Sequence, residues 1–83
     1  MKLKEDYVKH DFKDFSVLIP INDERQEIIR INDTTSFIID CLKEETDVDT
    51  IVKKMSAEYE ADEDILRADV LKVIASLEEI EAI

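Results

Sequence analysis

The sequence has no glycine and no tryptophan, and it has one proline, Pro20, and one cysteine, Cys41, among its 83 residues. Without glycine, no glycine-rich phosphate-binding loop can form. A single cysteine excludes an intrachain disulfide, so we expect a reducing, cytoplasmic setting. We expect no membrane contact, because no apolar run approaches the ~18 residues of a membrane span and the charged N-terminus lacks the pattern of a signal peptide.

Residue sets for catalysis or metal binding are also scarce. The only histidine, His10, has no second histidine or cysteine pattern beside it to complete a metal site, and we expect it to face solvent. Ser36 has no recognisable base, and the carboxylate pairs lie at predicted helix ends, where acids are usually solvated. The sequence therefore predicts a protein that is not an enzyme and that uses no cofactor and no metal.

The net charge of −11 limits the possible partners. Affinity for nucleic acid comes mainly from cations that neutralise phosphates, and the N-terminal lysines alternate with acids instead of forming a basic patch. We therefore expect no nucleic-acid partner. Two interpretations of the acidic surface stay open: it maintains solubility, or it favours a basic partner.

Three short strands are predicted in the first part of the chain. Residues 7–10, 15–21 and 28–31 are rich in β-branched and aromatic side chains, and a polar turn at residues 22–26 separates the last two. Pro20 cannot donate a hydrogen bond to a sheet, so it should mark a strand end. Within the third strand, Ile29 and Ile31 should share one face, with Ile28 and Arg30 on the other.

Three helices are predicted after the strands. The first runs over residues 33–44 with Asn32 or Asp33 as N-cap, the second follows the N-cap Asp47, and the third follows Asp62. The apolar positions recur at helical spacing and predict a shared core of Ile38, Leu42, Ile51, Val52, Met55, Leu66, Val70, Ile74 and Leu77. The fold class is therefore α+β, a single domain over residues 1–83 with a three-stranded antiparallel sheet before three helices. The charged residues 1–6 should be loose.

A sheet this small leaves an edge strand unpaired. Edge strands expose a row of backbone donors and acceptors, and an added peptide can pair with them. The strand at residues 28–31 runs directly into the first helix, so the open edge should lie beside a helix. This arrangement is typical of a peptide-binding module.

Three sequence blocks resemble the PqqD family of peptide-binding domains. Residues 31–39 resemble its Leu-Asn-x-Thr-Ala-x-x-(Ile/Leu)-Trp block, residues 47–51 its Thr-Val-x-Glu-(Leu/Ile) block, and residues 69–77 its Asp-Val-x-x-Phe-Leu-x-x-Leu block. The order and spacing also match. The chain departs from the pattern at Ile39, which replaces tryptophan, at Thr50, which replaces glutamate, and at residues 81–83, which replace Gly-Leu-(Leu/Ile).

The resemblance implies a winged-helix-like domain that recognises the leader of a ribosomally made, post-translationally modified peptide (RiPP). Such a domain acts as a peptide chaperone and presents the precursor to a modifying enzyme, often a radical S-adenosylmethionine enzyme. The leader would add as a strand beside the third strand and lie against the third helix. The residues implied for peptide binding are Ile28, Ile29, Arg30, Ile31, Asp69, Lys72 and Val73. Asp69 fits a surface acid without a ligand as well as it fits a groove residue, whereas the pattern favours Val73 as a core residue.

Other functions stay open at this point. Three helices and a small sheet also form winged-helix DNA-binding domains, although such a domain needs a basic recognition helix. The open edge would equally serve a structural module that forms a homodimer by strand pairing. An acyl-carrier protein is a weaker alternative, because Thr35-Ser36-Phe37 lacks the aspartate that precedes the attachment serine and the strands do not fit a helical bundle.

Overall fold

The sheet occupies the N-terminal part of the chain, as predicted. The computed structural model of the protein describes residues 1–21 and 27–83. Strands β1 (Tyr7–Asp11), β2 (Ser16–Pro20) and β3 (Ile29–Ile31) form an antiparallel sheet in the order β1-β2-β3. The predicted polar turn lies outside the described residues. The α+β class and the strand order are confirmed. Four of the six predicted strand ends differ from the observed ends by one residue, and the other two agree.

Three helices follow: α1 (Asp33–Cys41), α2 (Val48–Glu58) and α3 (Glu63–Glu79). Asn32 is the N-cap of α1, and its side chain accepts a hydrogen bond from the Thr35 N–H. Asp62 is the N-cap of α3, but its side chain makes no capping hydrogen bond. None of these helices has the combination of length and hydropathy that crossing a bilayer would require, within the part of the chain that is described.

Helix α1 ends earlier than the predicted residue 44. The N–H of its C-cap, Leu42, donates to the carbonyls of Ile38 and Ile39, and the Leu42 carbonyl accepts a hydrogen bond from Leu3. The Lys43 N–H then bonds the Asp40 carbonyl, three residues back, so the α-helical hydrogen-bond pattern has ended by this point. The hydrogen bond from Leu3 satisfies one of the helix-end carbonyls that have no partner within the helix.

The N-terminal residues are held against the helices, which differs from the expectation that residues 1–6 are loose. Leu3 is buried, and its N–H lies 2.8 Å from the Leu42 carbonyl. The Lys4 N–H donates to the Ala82 carbonyl, also at 2.8 Å. The amino group of Met1 binds the carboxylate of Glu45. The segment therefore bridges the end of α1 and the C-terminus, a contact between distant parts of the chain that charge patterning could not reveal.

The hydrophobic core lies between the sheet and the helices. All nine core residues predicted from helical periodicity are buried, and Leu3, Tyr7, Leu18, Ile39 and Ala82 join them in one cluster. Burial of such side chains is worth roughly 1.5–3 kcal/mol each relative to exposure. The core fixes α3 beneath the sheet, and this placement creates the groove described below.

The chain closes α3 without the usual glycine. Glu81 adopts a left-handed conformation with φ of 61°. Its N–H donates to Glu78, and the Ala82 N–H donates to the Leu77 carbonyl at 2.8 Å. This double hydrogen bond is the Schellman pattern, in which glycine is preferred because a Cβ atom disfavours positive φ. Here the buried Ala82 and the hydrogen bond from Lys4 hold the turn in place.

We expect Asp47→Ala to lower the thermal midpoint of unfolding at pH 7, and the deficit to shrink on acidification. The Asp47 carboxylate accepts a hydrogen bond from the Thr50 N–H at 2.8 Å, and this bond holds the pKa of Asp47 below its ordinary value of 3.8. A lowered folded-state pKa means that the stabilisation is present above the unfolded pKa and is lost as pH falls through the folded one.

Asp47→Asn is the matched control for this prediction, because asparagine keeps the capping oxygen but does not titrate in this range. Thermal melts of the three proteins between pH 7 and pH ~2.5 test the effect, a range that brackets the ordinary carboxyl pKa. A deficit of Asp47→Ala that stays constant across this range would contradict the role of the carboxylate.

Candidate peptide-binding groove

A groove lies between the free edge of the sheet and α3. Its volume is about 490 Å³, and its floor is formed by the core residues Leu18, Ile39 and Leu77. Side chains of β3 form one wall and those of α3 the other, while polar residues at the start of α1 close one end. The complete lining consists of Leu18, Ile29, Ile31, Asn32, Thr34, Thr35, Ile39, Asp69, Lys72, Val73, Ser76, Leu77 and Ile80.

Five of the seven residues implied for peptide binding meet in this groove. They are Ile29 and Ile31 on β3 and Asp69, Lys72 and Val73 on α3. The three residues on α3 come together because positions 69, 72, 73, 76 and 80 share one helical face. On the strand, Ile29 and Ile31 point to the same side as the core residue Leu18, as their pairing predicts.

Ile28 and Arg30 are not among the residues that line the groove. Ile28 is 63% exposed, and the Arg30 guanidinium lies over the Phe15 ring, 4.6 Å from its centre. Both belong to the opposite face of the sheet, because side chains alternate along a strand. Strand alternation had predicted this division, whereas the family resemblance placed all four residues in one site.

Val73 and Asp69 each combine the two roles considered for them: Val73 is both a core and a groove residue, and Asp69 is both a surface acid and a groove residue. Val73 is half-buried, packs against the core and also lines the groove. Asp69 is exposed at the groove wall, one helical turn from Lys72. A ligand in the groove would therefore meet an apolar centre with one acid and one base on the helical side.

The direction of the backbone groups on β3 follows from the hairpin that precedes it. The Phe12 N–H donates to the Phe15 carbonyl, and the Ile21 N–H donates to the Asp6 carbonyl. These two hydrogen bonds mark the 12–15 and 6–21 pairs as hydrogen-bonded, and in an antiparallel ladder bonded pairs alternate with non-bonded ones. The His10–Val17 and Val8–Ile19 pairs are therefore bonded, so the backbone groups of Val17 and Ile19 face β1. The N–H and C=O groups of Ser16 and Leu18 then point towards β3.

This pattern leaves Arg30 with outward-facing backbone groups. Ile29 pairs with Leu18 and Ile31 pairs with Ser16, so the backbone groups of both isoleucines are used by β2. The N–H and C=O of Arg30 point to the open edge instead. A proline at Ile29 or Ile31 would thus damage the sheet itself, and position 30 is where removal of an N–H tests the open edge.

Polar groove residues from α1 and the end of α3 were missed by the sequence interpretation. Asn32 was expected only as a possible helix cap, and Thr34 and Thr35 were not assigned to the site, yet all three line the groove. Ser76 and Ile80 extend the α3 wall towards its C-terminus. The helical spacing of positions 69, 72, 76 and 80 was a signal that would have found the last two.

A buried polar cluster beneath β1 was also missed. The Lys9 side chain is only 2% exposed, and its Nζ lies 2.9 Å from Asp11 and 2.8 Å from Asp40. It also donates to the Ser36 hydroxyl at 2.7 Å. Burial lowers the pKa of Lys9, but the hydrogen bonds to Asp40 and Asp11 outweigh it and raise the pKa above its ordinary value. The cluster pins β1 to α1, so Lys9 is not one of the solvated surface charges.

The cysteine and the histidine of the chain, Cys41 and His10, are not among the described residues that line the groove. Cys41 is half-buried on α1, and burial raises the pKa of its thiol, as expected for a cysteine that packs as a small apolar residue. Within residues 1–21 and 27–83, no three His, Cys, Asp or Glu side chains come together to hold a metal ion. His10 is exposed on β1, on the sheet face that does not form the groove.

The fold and the groove together define a small α+β domain with an apolar cleft beside an open sheet edge. Residues 18–83 match the family described as Coenzyme PQQ synthesis protein D (PqqD). The chain belongs to the PqqD family. None of the curated proteins matches it significantly.

Two solved structures share this fold. The first is TbiB1 in complex with the TbiA(beta) leader peptide, which is 23% identical, has a TM-score of 0.83, and aligns over 99% of this chain and 93% of that one. The second is lasso peptide synthetase B1 complexed with the leader peptide, at 20% identity and a TM-score of 0.78, over 94% and 89% of the two chains. At these identities the likeness establishes the fold.

Proposed function

We propose that this protein is a RiPP recognition element: it binds the leader of a ribosomally made precursor peptide and presents that peptide to a modifying enzyme. The single observation that carries the proposal is the groove that unites Ile29 and Ile31 of an edge strand with Val73 of α3. Membership of the PqqD family and the leader peptides named for both similar structures support it. The protein itself takes no catalytic role in this proposal.

The leader binds by strand addition. Its backbone pairs with the outward N–H and C=O of Arg30, and hydrogen bonds of this kind supply affinity without regard to side chains. Alternate leader side chains then enter the groove over Leu18, Ile39 and Leu77. We therefore expect a leader segment of roughly ten residues with apolar side chains at alternate positions and a Kd between about micromolar and nanomolar.

The partner enzyme is the one that modifies the precursor, and a radical S-adenosylmethionine enzyme is one such class. The DNA-binding alternative gains no support from the geometry. Arg67, the arginine of α3, lies 2.7 Å from the Asp49 carboxylate, and Lys72 faces the groove beside Asp69. Neither side chain contributes to a continuous basic surface of the kind that phosphate binding requires.

NMR titration of the labelled protein with the leader encoded beside its gene tests the proposal. Shifts should concentrate on β3 and on the groove face of α3. Val73→Glu should weaken binding by more than about tenfold, since it places a charge in the apolar centre of the groove. Leu71→Glu is the matched control, because Leu71 lies on α3 away from the groove and is 50% exposed.

The outcomes separate cleanly if both variants keep the helical circular dichroism of the parent protein. Retained affinity in Leu71→Glu together with a loss in Val73→Glu supports the groove as the binding site. Shifts centred on α2, or none at saturating leader, would refute the proposed function. Equal losses in both variants would indicate a non-specific effect of added negative charge.

A further inference from the structure

The face of the sheet opposite the groove is apolar and has no cover in the described structure. The strand register places Val8, His10, Val17, Ile19 and Arg30 on this face. Continued alternation beyond the strand ends and the ring contacts add Phe12, Phe15, Ile21 and Ile28. Four of the six most exposed large hydrophobic residues described are here: Val8 at 44%, Phe12 at 51%, Ile21 at 55% and Ile28 at 63% exposed. We call these nine residues the outer face.

Four side chains of the outer face, those of His10, Phe12, Phe15 and Arg30, form a row of contacts outside the core cluster. His10 meets Phe12 edge-on with ring centres 4.6 Å apart, and Phe12 stacks on Phe15 at 4.8 Å. Arg30 then covers the other end of this row. Val17 is only 7% exposed, yet it does not belong to the core cluster. Contiguous exposed apolar surface of this kind marks an interaction site.

We propose that the outer face is the docking surface for the enzyme that modifies the captured peptide. This inference rests on the proposed function, which requires such an enzyme to meet the loaded domain. The enzyme must leave the groove free for the leader, and the outer face is on the opposite side of the same sheet. The two surfaces meet at Arg30, whose backbone faces the open edge and whose side chain lies on the outer face.

Charge indicates the chemistry of this partner. The chain carries a net charge of −11, but among the described residues that alternation places on this side of the sheet only Asp6, beside Ile21, His10 and Arg30 are ionisable. A complementary partner surface is therefore apolar, with a carboxylate placed to meet Arg30. A second copy of this chain is the competing occupant, and the oligomeric state of the wild-type chain distinguishes it from the enzyme.

The test measures the affinity of the purified modifying enzyme, encoded beside this chain's gene, for the full chain with saturating leader. Val8→Asp on β1 and Phe12→Asp directly after β1 change the outer face away from the β3 edge. We expect each to raise the Kd for the enzyme by about tenfold or more, because charge is poorly tolerated in a desolvated interface centre. The Kd for the leader should change by less than about twofold.

Leu71→Asp is the control, because Leu71 is equally exposed on α3 and lies on neither surface. It should change the enzyme affinity by less than about twofold. Two variants are used so that a folding defect in one, detected by its thermal melt, leaves the other informative.

Unchanged enzyme affinity in the folded outer-face variants would overturn the docking surface. A wild-type chain that sediments as a dimer, with Phe12→Asp restoring the monomer, would also overturn it in favour of self-association. Failure of the wild-type chain to bind leader would instead refute the proposed function, and the enzyme measurement without leader would still report on docking.

Discussion

Arg30→Pro should weaken leader binding by about tenfold or more while the domain stays folded. The Arg30 N–H points to the open edge of the sheet, and proline removes this donor and leaves a leader carbonyl without its partner. Proline is tolerated on edge strands where the lost N–H faces outward. Isothermal titration calorimetry with the leader measures the effect.

Two matched variants make this result specific. Arg30→Ala removes the same side chain and keeps the N–H, so it should bind leader with nearly unchanged affinity. Ile29→Pro removes an N–H that β2 uses, so it should lower the thermal midpoint of the protein itself. Equal affinities of Arg30→Pro and Arg30→Ala would show that the leader does not pair with this edge.

Leu77→Ala should lower the free energy of unfolding by about 2–5 kcal/mol. Leu77 is 4% exposed, belongs to the core cluster, and forms part of the groove floor. Truncation removes buried apolar area and leaves a cavity beneath β3. For a domain of this size such a loss is a large fraction of its total stability. Urea denaturation followed by circular dichroism measures it.

Leu71→Ala is the internal standard for this prediction, because it makes the same truncation on the same helix at a half-exposed position. Its cost should be within about 0.5 kcal/mol, as is usual for surface positions. If both substitutions cost the same, the burial of Leu77 would not be the source of its contribution. The comparison also separates packing from helix propensity, which is equal in the two variants.

Periodicity along the chain was enough to predict most of the architecture. The period of two in the strands and the helical spacing of apolar residues identified all six elements and the nine core residues from the helices. The capping residues Asn32 and Asp47 fixed two helix starts. These features depend on local geometry, in which side-chain direction follows directly from position in the sequence.

Long-range pairing decided what the local patterns left open. The anchoring of residues 1–6 and the burial of Lys9 depend on contacts between residues far apart in sequence. The sequence, with its family resemblance, determined an α+β domain with an open edge and the residues around it. Only the tertiary structure divided those residues between a groove and an outer face. It also showed that the N–H and C=O of Arg30 face the open edge. Which residues of an edge strand bond inward and which face outward is set by the register of the neighbouring strands.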